Sequence, residues 1–533
     1  MIRLRGLKIS IDKSSRELEK KVKRRLSIPF SDDIEITVVK RSLDCRKKPE
    51  LFYVYTLDIR TKDEKKVLGK FVKDKDVFET PKDPFSFEIR GIIPMETRPV
   101  IIGAGPCGLF CALYLARHGY RPIICERGKD ADKRLDDVTG FWNGGPLNPS
   151  SNVQFGEGGA GTFSDGKLQT NNNDKDGGVK RVLSEFVRYG GPEDILFEQK
   201  AHLGTDVLID ILKNIRHYIE EKGGTFCFEK KLTSLKTHDK IVDLTFEDGE
   251  VITTQAAVLA IGNAASDTFE SLYKCGLPMM AKPVAMGYRI THPQAMIDEF
   301  AYGTSDRDDL PSAPYKLTFK ASNGRNVYSF CMCPGGYVID ASSYYGGLCV
   351  NGMSYSGRDS GTANSAIIVT SPVLNPDDPF STLKAQRAIE KKAYDLCEGA
   401  IPAQRFTDYK ANVATTDSDD INHAVKGAVK GANLRGIYDE DSEEAFISAM
   451  ERFGRTIPGF DGDEAMLYGV ETRTSSPVRI IRDTDTRLSP AGCIYPAGEG
   501  AGYAGGIVSA SLDGIRTAQA IADAFAPMED HLG

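Results

Sequence analysis

Two hydrophobic periods alternate over the first ninety residues. LRGLKISI, from Leu4 to Ile11, places apolar side chains at nearly every second position, which predicts a half-buried strand. SSRELEKKVKRRLSI changes to a period near four, with Leu18, Val22 and Leu26 on one face behind serine caps, and predicts a helix. IEITVVKRS and ELFYVYTLDIR return to β-rich alternation. Strand, helix, strand, strand predicts a small α+β sandwich of ferredoxin-like character. KDEKKVLGKFVKDKDVFETPKDP then leads into a linker that ends near IIPMETRP.

The pattern changes at residue 98. In RPVIIGAGPCGLFCALYLARHGYRPIICERG a fully apolar strand, Val100 to Ile102, runs into a glycine turn. A helix with the stripe Leu109, Ala112, Leu113 and Ala116 follows. Gly119 stops that helix, and a second apolar strand, Ile123 to Cys125, ends at Glu126. This is a complete βαβ start. A comparable strand-to-helix start recurs near the end, in YPAGEGAGYAGGIVSASLDG, where six glycines fall within twenty residues.

Composition alters this picture in one place. The net charge is −7 overall, yet residues 1–90 hold 24 Lys and Arg against 16 Asp and Glu, so the front is basic and the remainder acidic. That asymmetry predicts a separate module, which either docks on the acidic body or engages an anionic partner such as RNA. The N-terminal stretch lacks a signal-peptide core, and no run reaches membrane-span length, so a cytoplasmic protein without membrane attachment is expected. The eleven cysteines are scattered singly, apart from Cys331 and Cys333, and the seven histidines do not cluster; no metal site is expected.

The glycine turn carries the chemistry. Gly103, Gly105 and Gly108 form G-x-G-x-x-G: the first for the turn, the second for approach to a pyrophosphate, the third for close helix packing. The helix N-terminus offers free N–H groups and a positive dipole end. Glu126, at the tip of the next strand, is placed to hold a ribose diol, so a dinucleotide is the expected ligand. An NAD-binding domain has no need of a second glycine-rich helix start. The longer FAD does, and Glu499 in that second start can accept hydrogen bonds from ribitol hydroxyls.

IIGAGPCGLFCALYLARHGYRPIICERG and YPAGEGAGYAGGIVSASLDG resemble the N- and C-terminal FAD motifs of glutathione-reductase-like flavoproteins. QFGEGGAGTFSDGKL, AMGYRITHPQ, FCMCPGGYV, NGMSYSGRD, GAIPAQRF and ETRTSSPVRIIRD are similar to a bacterial family of uncharacterised FAD-dependent dehydrogenases, over roughly residues 90–525. The resemblance implies an α/β fold with a Rossmann FAD-binding domain split by a mixed α+β cap. The expected domains are 1–90 (small α+β), 91–285 (FAD-binding), 286–460 (substrate-facing cap) and 461–533 (FAD-binding, closing part). It implies non-covalent FAD held at the phosphate turn by Gly103, Ala104, Gly105, Pro106, Cys107 and Gly108, with Glu126 and Arg127 at the adenosine end. Gly498, Glu499, Gly502, Gly505, Gly506 and Ile507 match the flavin end, and Gly262 closes a strand near the cofactor. Asp is usual in the superfamily where this chain has Glu499, and the family implies His and Arg where it has Asn263 and Ser266.

The expected activity is an FAD-dependent oxidoreductase acting on a small molecule. Its rivals are a flavin-stabilised RNA- or protein-binding protein and a tRNA-modifying flavoenzyme. A second G-x-G-x-x-G nucleotide fold for NAD(P)H and a C-x₄-C redox pair are both missing, so NAD(P)H would dock on the cap as reductant or the substrate itself would supply electrons. GTFSDGKL has P-loop spacing without the Ser or Thr that holds Mg²⁺. It reads instead as a loop passing the flavin, with backbone donors at Gly158, Gly159 and Gly161. Trp142 reads as an anchor for that region, and Arg473, Arg479 and Arg482 as anion ligands or salt-bridge partners. On an extended strand Cys331 and Cys333 share a face with Cα atoms roughly 6.5–7 Å apart, at the limit for a disulfide. Two packed, inert thiols are expected there, or one catalytic thiol facing the flavin.

Overall fold

The computed structural model describes residues 1–170, 174–306, 309–416 and 424–529. The front module is a four-stranded antiparallel sheet in the order Glu35–Lys47, Glu50–Arg60, Ile2–Ser10, Val77–Glu79. Helices Ser15–Leu26 and Glu64–Lys70 cover it, and Val22 and Leu26 reach a core with Leu4, Leu57 and Ile59. The module docks through its edge strand. Arg41 N donates to Phe197 O at 2.7 Å, Gln199 N donates to Arg41 O at 2.9 Å, and the Arg41 side chain pairs with Glu198. Pairing an edge strand in this way satisfies backbone groups that would otherwise recruit another chain.

The module closes at Glu79, and the chain then crosses the body as an extended strap. Phe85 and Phe87 pack on Tyr114 with ring centroids 6.1 and 5.3 Å apart, and Arg90 N and Gly91 N both donate to Ala522 O. Residues 85–95 therefore pack on the body, and the front module ends near Thr80, whose N–H still donates to Met1 O, ahead of the expected boundary at 90.

The body's first layer is a five-stranded parallel sheet in the order Ile494–Pro496, Ala257–Leu259, Val100–Ile102, Ile123–Cys125, Thr225–Cys227. Its central strand is buried on both faces, which is why it reads as an unbroken apolar run. Helix Pro106–Arg117 is buried from Cys107 through Ala116 on every side, so the expected stripe is one part of a fully enclosed surface. Helices Thr205–Glu221 and Ile507–Ala524 and the strap enclose it. A small antiparallel sheet, Leu232–His238, Ile241–Phe246 and Val251–Thr254, leads back to the parallel layer.

The cap is built on a seven-stranded sheet containing Val284–Pro293, Thr362–Ser371, Asn326–Cys333 and Met466–Glu471. Helices Ser381–Cys397 and Glu440–Gly454 pack on it. Met466–Glu471 was expected in the closing part of the FAD-binding domain. It pairs instead with Val284–Pro293 and Ile401–Arg405, so the cap continues beyond 460 to about 474.

Candidate functional site

At the carboxyl ends of the parallel strands, helices Pro106–Arg117 and Ile507–Ala524 begin side by side. Their N-caps are Gly105 and Gly506, and neither helix start receives a side-chain capping bond. Two sets of free amides and two positive dipole ends are thus left without an anion from the chain. Both open onto one cavity of about 340 Å³.

Fold and ligand place different demands on the first glycine turn. Gly103 has φ +103°, and a Cβ there would collide with Ala260 O; one at Gly108 would collide with Gly103 O. These two glycines are required by packing. Gly105 has φ −74° and ψ −179°, open to any residue, and a Cβ there would meet only Gly159 Cα at 3.8 Å. Nothing in the fold requires glycine at 105; the space its side chain would take is the cavity.

Gly103, Gly105, Pro106, Cys107, Glu126 and Arg127 line one part of the cavity, with Gly159 and Gly161. Gly262, Glu499, Gly505, Gly506 and Ile507 line the rest. Two glycine regions almost four hundred residues apart in the chain therefore meet. Ala104, Gly108, Gly158, Gly498 and Gly502 stand behind this wall as supports. Ala104 N donates to Glu126, Gly158 N donates to Ala104 O, and Gly498 N donates to Asp513. Gly502 turns against Val478 O at an adjoining recess.

Glu126 is already engaged. Its Oε2 accepts from Ala104 N at 2.8 Å, and its Oε1 accepts from Gly128 N at 2.9 Å and Gly156 N at 3.0 Å. The carboxylate ties the glycine turn to the following loop and keeps lone pairs for a further donor. Arg127 pairs with Asp267 at 3.0 Å and lies 3.9 Å over the Phe155 ring. The glycine loop from 152 to 162 is held by Arg134, whose buried guanidinium donates to the carbonyls of Asn152, Val153, Gly156 and Glu157.

At the other end, Asn263 Nδ2 donates to Glu499 Oε1 at 2.8 Å. Burial pushes Glu499 up to about 7, against the opposing pull of the Asn263 hydrogen bond and of Lys282. Lys167 and Asp165 also line the cavity and pair at 3.2 Å. Asp165 is fully buried, bound also by Ser354 Oγ at 2.5 Å and Arg358 Nη2 at 2.6 Å. Sequence reasoning missed both residues. Their signal was present in GTFSDGKL, which reads as a loop passing the flavin with backbone donors alone.

Cys331 lines the cavity and Cys333 lies behind it, fully buried. The expected regular strand is interrupted here: Cys331 has φ +45°, and the pairing with Thr362–Ser371 slips between Phe330 and Cys333. A hydrogen bond from the Cys333 thiol holds Cys331 well below the usual thiol range. Burial opposes this, and the Lys167 and Arg289 cations reinforce it. Arg473 and Arg482 form salt bridges, to Glu390 at 2.8 Å and to Asp513 at 2.9 Å; Arg479 donates to Gly502 O at 3.2 Å. Trp142 donates to Asp340 O at 3.0 Å and sets its ring edge against Phe163, so it anchors the region. Among the described residues no helix is long and apolar enough to cross a membrane.

Residues 283–474 match the family described as FAD-dependent protein, C-terminal domain-like. Residues 1–60 match a domain of unknown function (DUF8436). An uncharacterized protein of Clostridium beijerinckii is 40% identical over 534 residues, covering 98% of this chain and 99% of that protein. Among solved structures, the chain is similar to a single-site mutant of the halogenase PltM in complex with FAD. That match has 11% identity over 80% of this chain and 68% of that chain, with a TM-score of 0.37. It is also similar to the tetracycline destructase Tet(51), with 12% identity over 81% of each chain and a TM-score of 0.32. Scores this low carry no weight for fold or reaction. On the identity to the clostridial protein, the chain belongs to that protein's family, and its cap is the part that matches the FAD-dependent protein, C-terminal domain-like family.

Proposed function

We propose that the chain is an FAD-dependent oxidoreductase that binds FAD without a covalent link and acts on a small molecule. The observation that carries the reading is the pair of uncapped helix starts opening onto one cavity, with a carboxylate near each. The residues fit the cofactor: Gly105 leaves room that the fold does not need, and the family of residues 283–474 is described as FAD-dependent. Bound FAD supplies two-electron chemistry, and the protein orients it and excludes water. The backbone of Gly103 and Gly105 and the first helix start receive the pyrophosphate, and Glu126 receives the adenosine ribose. Glu499 would receive ribitol hydroxyls, and the second helix start would face the flavin-side phosphate of the same pyrophosphate. The loop held by Arg134 closes the cavity, and Lys167 with Asp165 supplies the charged groups that hold or move a proton there.

A substrate site adjoins the cofactor cavity. A recess of about 780 Å³ shares Phe330, Thr474 and Gly505 with it and adds Tyr328 and Arg325. NAD(P)H would also reach the flavin from this side if it is the reductant. The front module reads as ferredoxin-like, and its docked edge strand favours a structural role over RNA binding. The test is to denature the purified protein, identify the released cofactor, and screen metabolites and NAD(P)H anaerobically for bleaching of the bound flavin. Release of NAD alone, or of no flavin, would defeat the proposal.

A further inference from the structure

The bulge at Cys331 removes the geometric objection to a bond between Cys331 and Cys333. That objection assumed a regular strand, and the strand is not regular. The left-handed backbone at Cys331 and the slipped register take the two residues off the regular strand spacing, and each thiol perturbs the titration of the other. Cys333 Sγ also lies 3.2 Å from Cys331 O. A left-handed non-glycine residue is strained and persists only where its surroundings hold it. Arg289 does so here. Fully buried, it donates from Nη2 to Cys331 O at 2.6 Å and to Cys333 Sγ at 3.2 Å. Its other donors are fixed on Glu471 at 2.7 Å and Asn364 at 2.9 Å.

The two sulfurs have unequal surroundings. Cys331 faces the cavity, with Lys167 and Glu499 in electrostatic reach, while Cys333 is enclosed behind it. One cavity-facing thiol favoured as thiolate and one resolving thiol two residues along the bulge is what dithiol–disulfide exchange requires.

We propose that Cys331 and Cys333 form a redox pair that exchanges two electrons with FAD bound in the cavity. This rests on the FAD reading above. In the oxidising direction two S–H bonds break, one Sγ–Sγ bond forms, and two electrons with two protons convert FAD to FADH₂. In the reverse direction FADH₂ gives back the same electrons and protons, and the disulfide opens to two thiols. Cys331 loses its proton first, beside Lys167 and Arg289. A holoprotein with both centres stores four electrons instead of two.

The experiment uses the FAD-loaded protein, with its flavin content measured first. Oxidised wild type, titrated anaerobically with dithionite, is expected to take up four electrons per flavin, and Cys331→Ser only two. Alkylation before and after reduction, followed by peptide mapping, is expected to find both thiols protected in the oxidised form and both labelled in the reduced form. Mapping reads the pair in wild type, so it decides even if a variant fails to fold. Uptake of two electrons, or labelling of both thiols in the oxidised holoprotein, would overturn the proposal. So would extra electrons assigned to Cys125 and Cys227, which face each other across neighbouring strands. A protein without FAD would bring down the cofactor reading, and this proposal with it. Flavin present with unlinked thiols would bring down this proposal alone.

Discussion

Gly105→Ala separates the demands of the fold from those of the ligand. The added methyl meets only Gly159 Cα at 3.8 Å, an ordinary contact, on a backbone any residue adopts. Replacing glycine by alanine at an N-cap costs at most about 1 kcal/mol, so the apoprotein should melt close to wild type. On the proposed reading, the same methyl occupies cavity space that a bound pyrophosphate would need. Inserting a methylene-sized group into a packed site costs about 1–3 kcal/mol. At about 1.4 kcal/mol per decade, FAD affinity should fall about 5- to 140-fold. Titrating apoprotein with FAD, followed by flavin fluorescence, gives the affinity, and circular dichroism gives the melting temperature. Gly108→Ala is the counterpart: its methyl collides with Gly103 O, so the apoprotein itself should be destabilised. Wild-type affinity in Gly105→Ala would refute the placement of the pyrophosphate, and a large drop in melting temperature would refute the assignment of that glycine to the ligand.

Glu499 is held near 7 in the fold, above its unfolded range. Its contribution to stability is therefore full below about pH 4.5 and is lost as pH rises through 7. Denaturation of apoprotein at pH 5 to 8 should show this loss and Glu499→Gln should flatten it; an unchanged slope would remove Glu499 as the cause. Glu499→Ala should weaken FAD binding by about 1.5–3 kcal/mol, the scale of a charge-assisted hydrogen bond, and isothermal titration checks it. Arg134→Met strands four buried carbonyls and should cost about 3 kcal/mol or more in urea unfolding, with weaker FAD binding alongside; unaltered unfolding would show the loop needs no clamp. Deleting residues 1–80 should leave a yellow, folded protein, whereas deleting 1–95 removes Phe85 and Phe87 from Tyr114 and should lower the melting temperature. Equal behaviour of the two truncations would contradict the strap.

Legibility in the sequence followed the range of the interactions. The turn at Gly103 to Gly108, the acid at Glu126 and the helix start at Ile507 are local patterns, and each sits where its pattern predicts. The strap was read as a linker because Phe85 and Phe87 owe their order to a helix they do not adjoin in sequence. Met466–Glu471 was assigned to the wrong sheet because an apolar strand does not encode its partner. The bulge at Cys331 depends on Arg289, more than forty residues earlier, and on Glu471 and Asn364 beyond it. Spacing within FCMCPGG carries none of that.

The order of the parallel sheet also bears on how the protein is made. Val100–Ile102 and Ala257–Leu259 leave the ribosome long before Ile494–Pro496, the outer neighbour of Ala257–Leu259, has been synthesised. At about 5–20 residues per second, the delay between Ile102 and Ile494 is roughly 20–80 s. Throughout that interval the nascent sheet lacks at least this strand, and the surface of helix Pro106–Arg117 against which Gly514 closes stands bare. Only one of the two helix starts exists to receive a cofactor. On the FAD reading, both helix starts are available only once Ile507–Ala524 has emerged, and a chaperone shielding that apolar helix face would have to release it at that point.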